Sequence, residues 1–143
     1  MAVPRHLHIA LDELDTYEVP GDADHPRIIE YLSTVRFPEG FVRHDEVNWC
    51  SAFVQWVMLS VGQRGPQSPA ARSWLKWGKP VSKPLPGDVA VFWRESPSSW
   101  KGHVGFYLGE VGGYVVVLGG NQGNKVSVRY YKRSQLLGYR RSP

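Results

Sequence analysis

The chain has 143 residues, 42% of them hydrophobic and 21% charged, which suits one globular domain able to bury a sizeable apolar core. Six Trp and seven Tyr beside 15 Gly and 11 Pro exclude a plain helical bundle and predict a turn-rich mixture of helices and strands. The net charge of +4 favours anionic partners without choosing among nucleic acid, phosphate-bearing envelopes and acidic glycans, and a lone cysteine excludes an internal disulfide.

The opening stretch MAVPRHLHIALDELD lacks the run of about seven or more apolar residues of a secretory signal. Nowhere do apolar residues approach the roughly 18 of a membrane span. A soluble protein of cytoplasmic synthesis is expected, exported or released by something else if it works outside. The nearest thing to a linker is PGDADHP (20–26), too short to divide the chain, so residues 1–143 read as one domain.

A first helix is predicted from Asp24 to near Thr34, with Pro26 in its first turn and Ile28, Ile29 and Leu32 as its apolar face. A second is better marked: Asn48 suits the N-cap and Gly62 the left-handed residue past the end. Between them only Ser51 and Gln55 are strongly polar, so this helix runs through the core. A short third helix is expected in SPAARSWLKWG, capped by Ser68 and stopped by Gly78. After PLPGD come four strand-like runs, DVAVFWR, HVGFYLGE, YVVVLGG and KVSVRYY, short and rich in Val and aromatics. Helices first and strands second predict an α+β domain in which a helical layer packs on a mostly antiparallel sheet.

Cys50 falls in the first turn of the second helix, where free N–H groups and the helix dipole favour a thiolate. A small buried hydrophobe is the alternative. His103 opens a strand after a glycine, on the face of Gly105 and Tyr107, opposite Val104, Phe106 and Leu108; a surface histidine is the alternative there. His6, His8, His25 and His44 have no comparable position. If strands 103–109 and 114–121 pair about Gly112, His103 and Asn121 face each other, each nine positions from that centre. Asn121 would then orient the imidazole while its other nitrogen takes the thiol proton. A slip of one residue would hand that role to Gln122, and Asn121 also suits a plain turn in GGNQGN.

The blocks WCSAFV, PGDVAVFWR, GHVGFYLG, VLGGNQGNKVSV and LLGYRRSP occur in an order that resembles the CHAP family, the cysteine and histidine-dependent amidohydrolase/peptidase domains, in its compact phage and bacterial cell-wall subgroup. The resemblance runs from about Tyr17 through HPRIIEYL to the C-terminus. It implies a papain-like α+β fold, a nucleophile at Cys50, a base at His103 and a polar third residue at Asn121. Where many CHAP domains carry a Glu two positions before that Asn, this chain has Gly119. The family's oxyanion donor is often a side-chain amide just before the cysteine; Trp49 stands there, leaving Asn48 and the Cys50 N–H. Some relatives bind calcium ahead of the nucleophile, but His44, Asp45 and Glu46 supply too few oxygens, and paired zinc spacings are absent, so no metal and no other cofactor are expected.

The implied activity is hydrolysis of an amide bond in peptidoglycan, as N-acetylmuramoyl-L-alanine amidase or as stem or cross-bridge endopeptidase, with exposed aromatics such as Trp49, Trp93 or Trp100 lining the groove. The implied roles are endolysin or bacteriolytic effector, monomeric, without nucleic-acid partner or membrane span. Such a protein acts in the periplasm or cell wall after holin release, virion carriage or secretion-system delivery, with an immunity or delivery protein as partner if it is an injected toxin. The competing reading is a non-catalytic module that binds cell wall or another anionic polymer through the strand region and the late cluster Arg129, Lys132, Arg133, Arg140 and Arg141. Nucleic-acid binding is weaker, because no recognition motif accompanies the charge.

Overall fold

The computed structural model describes residues 3–19, 25–37 and 48–143. Three α-helices, α1 (Arg5–Asp12), α2 (Pro26–Leu32) and α3 (Cys50–Ser60), precede a 3₁₀ helix at Ala71–Lys76 and six strands. These are β1 (Lys79–Val81), β2 (Val89–Trp93), β3 (Gly102–Val111), β4 (Tyr114–Gly119), β5 (Ser127–Lys132) and β6 (Leu136–Arg141). All strand pairs are antiparallel, in the order β1-β6-β2-β3-β4-β5.

The helix expected from Asp24 is seen from Pro26, residue 24 lying outside the described residues; the His25 ring accepts from the Arg27 N–H at its N-cap. Helix α3 is buried around nearly all its circumference, and its two polar residues hold the chain that follows it. Ser51 Oγ donates to the Ser68 carbonyl and accepts from Trp74 Nε1, while Gln55 Oε1 accepts from the Gln67 N–H. Gly62, at φ 76°, ends the helix with a backbone that residues with a Cβ adopt at a cost.

The third expected helix is a 3₁₀ segment whose N-cap is Ala70 and not the expected Ser68; Ser68 Oγ instead accepts the Ala70 N–H just ahead of it, and Gly78 follows its end at φ 64°. Helix α1, β1 and β6 are elements the sequence reading left without assignment. β6 inserts between β1 and β2, a pairing with partners far away in the chain. Its end is pinned by Arg141, whose Nε and Nη2 donate to Asp88 at 2.8 and 2.7 Å.

Both faces of the sheet are covered. On one, Val89, Val91, Val104, Phe106 and Leu118 meet the helices through Ile28, Leu32, Phe53, Val54 and Val57. On the other, Ala90, Phe92, Val115, Val117 and Tyr139 form a second cluster. Phe92 on β2 stacks on Tyr131 of β5 with ring centroids 5.1 Å apart, although β3 and β4 lie between them. Flat strands at about 4.8 Å spacing would hold those residues roughly 14 Å apart, so the sheet curls over this second face.

Candidate active site

Cys50 is the first residue of α3, and the Asn48 Oδ1 accepts its N–H at 3.3 Å. The backbone N–H groups of Val104, Ser51 and Cys50 itself favour the charged thiolate electrostatically, which places the thiol near the residue that follows His103. A helix N-terminus by itself favours the thiolate, but here burial outweighs it. Cys50 is 1% exposed, and desolvation pushes its pKa up against the opposing pull of the Val104 N–H and the Arg94 charge.

His103 is the second residue of β3 and pairs with Phe92. Its Nε2 meets Gln122 Oε1 at 2.8 Å. The Gln122 amide nitrogen donates to the carbonyls of Val117 and Ser127 at 3.1 and 2.7 Å, and Ser127 Oγ donates back to the Gln122 carbonyl at 2.7 Å. With both amide hydrogens so engaged, the oxygen must face the ring. The neutral imidazole therefore carries its proton on Nε2 and keeps Nδ1 free as the basic nitrogen. Tyr131 stacks on the ring, centroids 4.6 Å apart and planes 18° apart. Burial pushes the His103 pKa down to about 4, against the Gln122 hydrogen bond and with added depression from the Arg94 charge. At rest, then, burial keeps both the Cys50 thiol and the His103 imidazole neutral.

The hydrogen bond expected from Asn121 to the imidazole is made by Gln122. Next to the turn the β3–β4 register is Val111↔Tyr114, and an irregularity between Tyr107 and Gly109 shifts it so that Phe106 faces Leu118. Extended further, that register sets 103 against 121. However, β4 ends at Gly119 and Asn121 turns at φ 58°, which carries its side chain toward α3. There the Asn121 Nδ2 donates to Asn48 Oδ1 at 3.1 Å. One oxygen, Asn48 Oδ1, thus receives both the Asn121 amide and the Cys50 N–H.

Two glycines make this crossing possible. A Cβ on Gly119 would strike Gln122 Oε1 and approach His103 Nε2, and one on Gly120 would strike Trp49 and Phe53. The position of the family's Glu is therefore the space that the Gln122 carboxamide fills. Trp49 is fully buried and donates to Glu18 Oε1 at 2.7 Å, so it is a core residue that offers nothing to a substrate groove. Trp93 is half-buried, whereas Trp100 is 75% exposed. His44, Asp45 and Glu46 lie outside the described residues.

The basic cluster is divided. Arg141 is held by Asp88, and Arg140 donates to the carbonyls of Leu75 and Tyr139. Tyr131 and Arg94, both in electrostatic reach of Cys50, were missed by sequence reasoning. The one available signal was the alternation that puts Arg94 on the side of Phe92; Tyr131 reaches the site only through the curl of the sheet.

A solved structure shares this arrangement of the chain. NlpC1 from Trichomonas vaginalis superposes with a TM-score of 0.58 at 18% identity, over 96% of this chain and 42% of that one. A lipoprotein-like NLP/P60-family protein from Staphylococcus aureus gives 0.48 at 20% identity, over 90% of this chain and 45% of that one. The chain therefore spans less than half the length of either structure, and the likeness extends to the fold, which is α+β and papain-like. No curated protein matches the chain. The CHAP domain family matches residues 42–121, over half of the sequence and including Cys50, His103 and Asn121, so the chain belongs to the CHAP family.

Proposed function

We propose that this protein is a peptidoglycan hydrolase that cleaves an amide bond with Cys50 as nucleophile and His103 as base. The observation that carries this reading is the locked Gln122 carboxamide on His103 Nε2, which leaves Nδ1 as the basic nitrogen, one residue before the Val104 N–H whose pull the Cys50 thiol feels. Nδ1 takes the thiol proton as sulfur attacks the carbonyl. The oxyanion forms where the Cys50 N–H and the Asn121 amide converge, the point held at rest by Asn48 Oδ1. His103 then protonates the departing amine, and water, deprotonated by the same nitrogen, releases the acid and restores the thiol. Because Cys50 is 1% exposed, side chains around it must give way before a carbonyl reaches the sulfur.

The substrate class follows from the CHAP family match, and the exposed Trp100 offers a surface on which a sugar or peptide can stack. Arg140 and Arg141 are tied into the fold, so a purely polymer-binding role would rest on the exposed Arg129, Lys132 and Arg133. The test is release of soluble fragments from purified sacculi. Cys50→Ala should lower it by more than about 1,000-fold with an unchanged circular dichroism spectrum; full activity in that variant refutes the mechanism. Mass spectrometry of the fragments identifies the bond, a free lactyl carboxyl marking an amidase and a new peptide terminus an endopeptidase.

A further inference from the structure

Arg94 is the first residue beyond β2, and its backbone stays in step with β3. Phe92 pairs with His103, Trp93 with Gly102, and the Arg94 N–H donates to the Lys101 carbonyl at 3.2 Å. Alternation puts its side chain on the side of Phe92 and His103, diagonally next to the imidazole. The surrounding loop is firmly held. Arg72 donates to the carbonyls of Lys101, Pro97 and Ser96 at 2.8, 2.8 and 2.9 Å, and Glu95 pairs with Lys101 at 2.9 Å.

The guanidinium of Arg94 is different. It is exposed, and among the described residues no ion pair or side-chain hydrogen bond engages it. Cys50, His103 and Tyr131 all feel its charge. An unpaired cation there opposes the imidazolium that the reaction must form. A fixed loop that presents a free fork of N–H donors beside a nucleophile suits a planar anion.

We propose that Arg94 binds a free carboxylate of the substrate, borne by the peptide residue next to the scissile amide, and so selects acidic over amidated stems. Pairing the guanidinium with that carboxylate also cancels its repulsion of the imidazolium, so the right substrate improves its own base. This assignment rests on the reading of Cys50 and His103 as nucleophile and base. An arginine side chain spans only a few ångströms, so the carboxylate must lie within about one or two residues of the reacting carbonyl.

The experiment compares sacculi with the same sacculi after carbodiimide coupling to ammonia, which turns carboxylates into carboxamides. The full chain, Arg94→Gln and Arg94→Lys are assayed on both. Amidation should slow the wild type about 10- to 100-fold and Arg94→Gln by less than about threefold. The loss in Arg94→Gln on untreated sacculi should fall mainly on the apparent KM, and Arg94→Lys should recover part of it. Equal wild-type rates on both substrates, or an undiminished preference in Arg94→Gln, overturn the assignment while leaving the hydrolase reading intact. A wild type inactive on both refutes that reading and this one with it.

Discussion

The two faces of the sheet are both buried, but they are built on different principles. The helical face is nearly pure hydrocarbon, with Ile28, Leu32, Phe53, Val54 and Val57 packed on Val89, Val91, Val104 and Phe106. The curled face mixes Phe92, Val117 and Tyr139 with buried His103, Gln122 and Ser127, every one of which is hydrogen-bonded. Apolar packing is non-directional and tolerates small shifts, whereas a buried amide fixed by three partners allows one orientation. The helical side therefore supplies stability and the curled side sets direction, and the candidate nucleophile and base come from opposite sides of the sheet, Cys50 from the helical cluster and His103 from the curled face.

The largest expected effect comes from breaking the directional side. Gln122→Ala should lower kcat about 100-fold, because the imidazole loses its fixed tautomer and the Val117 and Ser127 carbonyls lose their donor. Gly119→Ala attacks the same bond from the other direction, its Cβ displacing Gln122 Oε1, and should cost about tenfold. Sacculus turnover by folded protein measures both, and wild-type turnover in both would show that the Gln122 bond carries no orientation.

Leu32→Ala on the helical side should cost about 3 kcal/mol of stability while turnover by the folded fraction stays within about twofold. Urea unfolding and the same turnover assay check the pair of outcomes. A variant that lost activity without losing stability would erase the contrast between the faces.

The third effect is on pH dependence. His103 is pushed down to about 4 in the folded state, against roughly 6.5 in an unfolded chain. As pH falls from 6.5 to 4 the unfolded chain binds a proton that the folded one refuses, so stability drops with falling pH, by about 3 kcal/mol. Below about 4 this contribution levels off. Urea unfolding at a series of pH values should show this slope in the wild type and its absence in His103→Gln. Activity should rise through an acid limb near pH 4 as His103 becomes the free base; a limb near 6.5 would mean that the ring is not buried as described.

Strand runs and the α3 boundaries were legible because they depend on local pattern. Val and aromatic alternation marks β2 to β5, and Gly62 follows the end of α3, whose N-cap is Trp49, one residue past the expected Asn48. β1 and β6 were not legible: Pro80 pairs with Arg140 and Val91 with Gly138, contacts between distant segments that no local periodicity announces. The site divided in the same way. Cys50 and His103 stood out by position, whereas the choice between Asn121 and Gln122 turned on where β4 stops and on the left-handed backbone at 121.

By itself the sequence determined the α+β order, the core helix with its single thiol and the strand that begins with an imidazole, since each is written in spacing along the chain. Only the tertiary structure decided which carboxamide holds the ring, that both candidate groups rest uncharged, and that Arg94, without an ion pair among the described residues, acts on both. Those outcomes depend on burial and on the curl of the sheet, which set solvation and distance between residues far apart in sequence.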